Sequence, residues 1–245
     1  MNSASNIRKI EFDNGDWYEG EFKNGSRHGK GKYIWASGAI YEGDWKEDVR
    51  TGKGRYTWSD GTVYEGDFVD GDFCGKGIFV WPDGERYEGE FYRDKRHGFG
   101  TYFYSEGDVY VGEWKYGEKT GKGKFIWNKN GPQAGNIYEG DFIEGEQTGK
   151  GKKTYANGDS YEGDFVKGIP EGKGKKVWTD GDSYEGECSD GKAFGNGKYI
   201  WADGSCYVGE FKYGLADGIG IYEDASGKVF KGIFKCGKPI ESLSD

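Results

Sequence analysis

Apolar and polar positions alternate along this chain in short runs that change phase at glycine pairs. In Tyr18-Glu19-Gly20-Glu21-Phe22 rings alternate with carboxylates at period two, the pattern of a half-buried strand. In Gly29-Lys30-Gly31-Lys32-Tyr33-Ile34-Trp35 the glycines and rings share one face, and Lys30, Lys32 and Ile34 share the other. Asn24-Gly25 between these runs, and Ser37-Gly38 or Asp60-Gly61 after them, supply the positive-φ residue that a tight turn demands. Each such stretch predicts a β-hairpin. No apolar run is longer than Ile78-Phe79-Val80-Trp81, whereas a membrane-spanning helix needs ~20 residues.

The hairpin pattern recurs. With the Tyr of each Tyr-x-Gly triplet as anchor, the anchors are Tyr18, Tyr41, Tyr64, Tyr87, Tyr110, Tyr138, Tyr161, Tyr184, Tyr207 and, with Phe in place of Tyr, Phe230. Successive anchors lie 23 residues apart, except for one interval of 28 between Tyr110 and Tyr138. Of 47 glycines, only Gly131, inside the longer interval, falls off the repeat. Asp48 and Asp94 stand where the turn glycine is missing, and aspartate visits positive φ more readily than most residues. Glycines inside strands normally weaken them, so their regularity predicts rings from neighbouring strands lying flat on bare backbone. A lone hairpin buries too little to fold, which makes the stacked array the folding unit.

The repeat fixes the expected layout. Residues 6–15 align with 29–38, so the array opens on a half-repeat strand with Ile10 and Phe12 in the places of Tyr33 and Trp35. Repeats follow from 16 to 238, with a five-residue insertion near 128–135 that reads as an exposed spacer and a short tail at 239–245. No partner strand is expected after Pro239. The whole chain is read as one array, all-β, forming an elongated, twisted single-layer antiparallel sheet of stacked β-hairpins.

Composition narrows the function. Aromatic residues are 18% of the chain out of 34% hydrophobic, too few aliphatics for a Leu/Ile/Val core. The formal net charge of −9 argues against nucleic acid as a partner. Cys74, Cys188, Cys206 and Cys236 form no CxxC pair and the histidines are only His28 and His97, so neither a metal site nor a cofactor is expected. The cysteines read as free thiols in a reducing cytosol and the histidines as solvent-exposed. The start Met1-Asn2-Ser3-Ala4 shows no apolar signal region and no glycine for myristoylation. Carboxylates recur at fixed offsets (Glu19, Glu21, Glu42, Asp44), which is surface decoration and not a catalytic pair. Gly-Lys-Gly lacks the spacing and the following helix of a phosphate loop.

Units such as Tyr41-Glu42-Gly43-Asp44-Trp45 and Tyr64-Glu65-Gly66-Asp67-Phe68, each followed by a Gly-Lys-Gly aromatic strand, resemble MORN repeats, the membrane occupation and recognition nexus family. The resemblance spans residues ~6 to 238. It implies a rod of successive hairpins without catalysis of its own, serving as a scaffold in cytoskeletal, ciliary, division-apparatus or membrane-contact assemblies. Cys188, Lys153, Lys176, Asp224, Val111, Val208 and Lys231 depart from the pattern, and such individual positions are where specificity could lie.

Two surfaces are candidates. The rings Tyr33, Trp35, Tyr56, Trp58, Phe79, Trp81, Tyr102, Tyr104, Phe125 and Trp127 are either stacked core or the lining of a groove for a partner segment. Lys150, Lys152, Lys153, Lys173, Lys175 and Lys176 fall on adjacent units; they either pair across strands with Glu139, Asp141, Glu162 and Asp164 or form a docking patch for anions. The function expected is a cytoplasmic protein-binding scaffold, not an enzyme, in a cytoskeletal or ciliary setting. Peripheral attachment to anionic lipids through the lysines is the alternative. A regulator of an enzyme on another chain, and a homodimer, stay open.

Overall fold

The computed structural model describes residues 7–128 and 130–243, and among them there is no helix. The chain divides into two compact units, one ending at Lys119 and the other beginning at Thr120. The first contains β1 (Ile7–Glu11), β2 (Trp17–Lys23), β3 (Ser26–Ile34), β4 (Ile40–Lys46), β5 (Val49–Thr57), β6 (Val63–Val69), β7 (Asp72–Val80), β8 (Arg86–Tyr92), β9 (Lys95–Phe103) and β10 (Val109–Lys115). Each pairs antiparallel with its successor, giving an open layer in sequence order. The second takes in most of β11 (Glu118–Ile126), then β12 (Ile137–Ile143), β13 (Glu146–Thr154), β14 (Ser160–Val166), β15 (Ile169–Val177), β16 (Ser183–Ser189), β17 (Lys192–Ile200), β18 (Cys206–Lys212), β19 (Leu215–Glu223), β20 (Val229–Lys235) and β21 (Lys238–Ser242), joined by the same rule. The all-β stack of antiparallel hairpins expected from the sequence is what the chain forms.

The register explains the repeat. Anchor faces ring and glycine faces glycine: Tyr18 lies opposite Tyr33, and Gly20 opposite Gly31. Two-residue turns such as Asn24-Gly25 have both residues at positive φ, 51° and 90°, the twist that matches right-handed strands. After the glycine pair the ladder slips at a bulge, with Gly29 at φ 63°. The carboxylate three residues after the anchor reaches across to this bulge. Glu21, Asp44, Asp67, Glu90, Asp141 and Asp164 accept the backbone N–H of Lys30, Lys53, Lys76, Phe99, Lys150 and Lys173, at 2.8–3.1 Å. These side chains are therefore caps for a backbone irregularity, not the mere decoration that the sequence suggested.

The core is a line of tyrosines laid over glycines. Tyr18, Tyr41, Tyr64, Tyr87, Tyr110 and Tyr138 are all 0% exposed. Each ring folds forward over the glycine two residues on and over its cross-strand partner, so a methyl group on Gly54 would sit 2.5 Å from the Tyr41 ring. The glycine on the anchor's own strand is hemmed in by backbone as well: a Cβ on Gly43 would lie 2.5 Å from the Gly54 Cα. The tyrosine hydroxyl donates to the carbonyl three residues on, as from Tyr41 to Asp44 at 2.9 Å and from Tyr64 to Asp67 at 2.8 Å. The ring four residues after the anchor closes edge-on against it, as Phe68 does on Tyr64.

Burial in this layer pushes the phenols of Tyr18, Tyr33 and Tyr138 up to about 12, and raises Tyr41, Tyr64, Tyr87 and Tyr110 as well. An unfolded phenol ionises near 10.0. The folded state thus favours the neutral form, and its advantage is complete below pH 10 and lost as pH rises through the folded values. The urea midpoint should stay level from neutral pH to about 9 and then fall steeply above 10, together with the rise of phenolate absorbance. Unfolding that precedes phenolate formation, or a midpoint flat to pH 12, would contradict the buried-phenol core.

The ends follow the pattern at one terminus and depart from it at the other. Ile10 faces Tyr18, as Tyr33 faces Tyr41, so β1 is the expected half-repeat strand; residue 6 lies outside the described residues. At the other end β20 does have a partner, β21, with Pro239 opposite Phe234. Proline is tolerated on an outer strand, where its missing N–H forfeits no ladder bond.

Candidate functional site

The ring-bearing face of the first unit carries a continuous row. Tyr33 and Trp35 have centroids 4.6 Å apart, Trp35 and Tyr56 5.2 Å, Tyr56 and Trp58 4.5 Å, and Trp58 and Phe79 5.3 Å. Phe79, Trp81, Tyr102 and Tyr104 continue it at 4.4, 5.4 and 4.6 Å. Tyr33 and Tyr102 are buried, while Trp35, Tyr56, Trp58, Phe79, Trp81 and Tyr104 are half-buried. Phe125 and Trp127, in the second unit, are likewise half-buried and 4.7 Å apart. The candidate rings are thus partly core and partly surface.

Cations are threaded between these rings. Arg27 lies over Tyr18, Tyr33 and Trp45 with its guanidinium carbon 4.4–5.9 Å from the centroids, and Arg50 and Arg96 repeat the arrangement. Their recurrence nine residues after the anchors Tyr18, Tyr41 and Tyr87 is the mark they leave in the sequence.

In the second unit Lys153 and Lys176 take the place of the Tyr33-type ring and do the same work. Lys153 is 6% exposed, with its ammonium 5.0 Å from the Trp127 ring, and Lys176 lies 4.8 Å from Trp178. Burial lowers the Lys153 pKa. Gln133 Oε1 accepts its Nζ–H at 2.8 Å, so the insertion is more than an exposed spacer: it supplies the acceptor that a buried ammonium needs.

The six candidate lysines therefore divide between faces. Lys153 and Lys176 belong to the ring face, and Lys150, Lys152, Lys173 and Lys175 line a groove of ≈ 990 Å³ on the opposite face of the second unit. The split follows from side-chain alternation along a strand, which places adjacent residues on opposite sides. Glu139, Glu162, Glu185 and Glu187 line the same groove. Lys150 pairs with Asp164 at 2.6 Å, Lys124 with Glu139 at 2.5 Å, and Lys152 stands opposite both Glu139 and Glu162 in the ladder. Lys122 and Lys150 hold the carboxyls of Asp141 and Asp164 below the usual carboxylate range. A similar groove of ≈ 1560 Å³ in the first unit has the same alternation, with Arg55 and Glu65 at 2.8 Å. Such exposed pairs contribute little to stability, about 0–1 kcal/mol each. Cations and carboxylates balance in the lining of the first groove, and the second has six lysines against four glutamates, with Asp141 and Asp164 paired to two of the lysines.

No group of His, Cys, Asp and Glu able to hold a metal ion occurs among the described residues, and the four cysteines are free thiols. His97 is not solvent-exposed as expected; it packs between Tyr92 and Tyr116 with its Nδ1 buried. Cys188 is buried in the place of the Phe22-type ring, where burial pushes its thiol up.

The family model described as the MORN repeat matches residues 18–40, 41–63, 64–86, 87–109, 110–131, 138–160, 161–183, 184–206 and 207–229. The match leaves out the tenth anchor, Phe230. No curated protein sequence matches the chain. Among solved structures, the chain is similar to the wild-type TCP10 domain of Danio rerio CPAP, at 13% identity over 97% of this chain and 100% of that one, with a TM-score of 0.29. It is also similar to the SAS-4 (dCPAP) TCP domain of Drosophila melanogaster in complex with a proline-rich motif of Ana2 (dSTIL). There the identity is 10% over 96% of this chain and 94% of that one, with a TM-score of 0.27.

Proposed function

Since this chain belongs to the MORN repeat family, we propose that it is a non-enzymatic protein-binding scaffold whose row of half-buried rings holds an extended or helical segment of a partner. The observation that carries this reading is the row from Trp35 to Tyr104: six half-buried rings, the first five in direct succession and Tyr104 joined to Trp81 through the buried Tyr102. Rigid aromatic anchors lose little conformational entropy on binding, and contiguous exposed apolar strips mark partner sites. The carboxylates beside the groove lysines favour protein capture over attachment to anionic lipids, because each added cation near a bilayer contributes only about 1 kcal/mol and most of the lysine charge here is offset. The setting we propose, on the strength of the family, is a cytoplasmic cytoskeletal or ciliary assembly.

The test compares two double variants in partner capture after both are shown to be folded. Trp58→Ala with Trp81→Ala should weaken capture by about tenfold or more. Lys152→Glu with Lys175→Glu should change it about twofold at most, and neither wild type nor variant should sediment with anionic vesicles at physiological salt. Capture lost with the lysines and kept without the tryptophans would overturn the proposal.

A further inference from the structure

In the first five copies a plug fills the position nine residues after the anchor: arginine in three, Phe73 in the third and Lys119 in the fifth, its ammonium 5.6 Å from the Tyr110 ring. Arg27, Arg50 and Arg96 each insert a guanidinium among three rings: the anchor tyrosine, the tyrosine fifteen residues on, and the ring twenty-seven residues on. For Arg50 these are Tyr41, Tyr56 and Phe68, at 5.8, 5.2 and 5.7 Å. Arg50 and Arg96 then donate through Nη2 to the carbonyls of Gly71 and Gly117, at 2.8 and 2.9 Å. The third copy fills the same space with Phe73, stacked on Tyr64 at 3.9 Å.

In the eighth copy the same position holds Ala193, and in the ninth Ala216. The three rings are still there, as Tyr207, Tyr222 and Phe234, and they line a cavity of ≈ 670 Å³ together with Ala216 and Gly237, whose carbonyl stands in the place of those of Gly71 and Gly117. Asp224 replaces the Trp35-type ring at the same cavity. Hydrogen bonds from the Ser226 hydroxyl and N–H and from the Lys228 N–H keep its carboxyl below the usual range, so it is ionised at neutral pH. Lys228 also lines the cavity and is exposed.

We infer that the cavity around Ala216 binds an arginine side chain presented by a partner protein. The chain fills this place with a guanidinium in three copies, against one ring and one ammonium, and of the two copies that keep the trio around an alanine the ninth is the one whose three rings all line the cavity. Ring faces attract a cation, and a planar guanidinium can stack on rings while donating to a carbonyl, as Arg50 and Arg96 do. The source of the arginine rests on the scaffold reading above; the site itself does not.

The probe is an acetylated, amidated pentapeptide Gly-Ser-Arg-Ser-Gly, titrated into the full chain while the ring resonances of Tyr207, Tyr222 and Phe234 are followed. Saturable shifts with a Kd on the order of 1 mM are expected. Replacing the peptide's arginine by glutamine should weaken binding about tenfold or more, and replacing it by lysine should weaken it severalfold. Ala216→Arg should abolish the shifts and leave the urea midpoint unchanged or higher. Should that variant fail to fold, Ala216→Leu fills the cavity with an apolar side chain and must abolish them too. Three outcomes overturn the inference: no shift of these rings, shifts that survive filling of the cavity, or glutamine or lysine peptides binding as tightly. If the peptide fails while the tryptophan variants still lose their partner, this site is refuted and the scaffold stands.

Discussion

Gly89→Ala is expected to destabilise the chain by about 3 kcal/mol or more, at the upper end of what overpacking costs. The added Cβ would lie 2.5 Å from the Tyr87 hydroxyl oxygen and 2.6 Å from the Gly100 Cα. The ring cannot yield, because Tyr87 is wholly buried, its hydroxyl donates to the Glu90 carbonyl at 3.0 Å, and Phe91 and Trp114 hold it edge-on. Backbone cannot yield without breaking the Gly89–Gly100 pairing in the ladder. Gly84→Ala is the control. Nothing lies within 4 Å of its Cβ, and its cost is the strain of φ 91° alone, about 1–2 kcal/mol. Urea unfolding that ranks the two variants equally would show that positive φ, and not ring against glycine, explains the glycines.

Tyr64→Ala should cost about 3–5 kcal/mol, the range for removing a buried aromatic ring. Tyr64 is 0% exposed, stacked on Phe73 and edge-on to Phe68 and Phe91. Phe91 belongs to the next repeat, so the loss extends to a neighbour, as expected where stability is shared between adjacent copies. Tyr64→Phe keeps the ring and removes only the hydroxyl that donates to Asp67, and should cost about 1 kcal/mol. Equal midpoints for the two variants would mean that the hydroxyl, not the ring, holds the layer together.

The strands, their turns and the two faces were legible in the sequence because period two, Asn-Gly pairs and a 23-residue recurrence are local signals. Functions of side chains that depend on the ladder slipping were not. The carboxylates of Glu21 and Asp44 look like surface residues until the bulge at Gly29 or Gly52 turns a backbone N–H toward them. Arg27 carries no local mark of its role, yet its guanidinium lies over the rings of Tyr18, Tyr33 and Trp45. For Lys153 the same alternation that puts the rings on one face also puts this lysine there, so parity alone separates it from Lys152. Gln133, by contrast, reaches Lys153 from an insertion with no repeat to predict its path.

Site-specific photo-crosslinking tests directly whether the ring row is the face that partners touch. A benzophenone amino acid would be placed at Trp58 and Trp81 on the row, and at Lys53 and Glu65 in the opposite groove, with each variant shown to be folded. One and the same partner should be crosslinked from both row positions and from neither groove position. Crosslinking from Lys53 and Glu65, with none from Trp58 and Trp81, would contradict it.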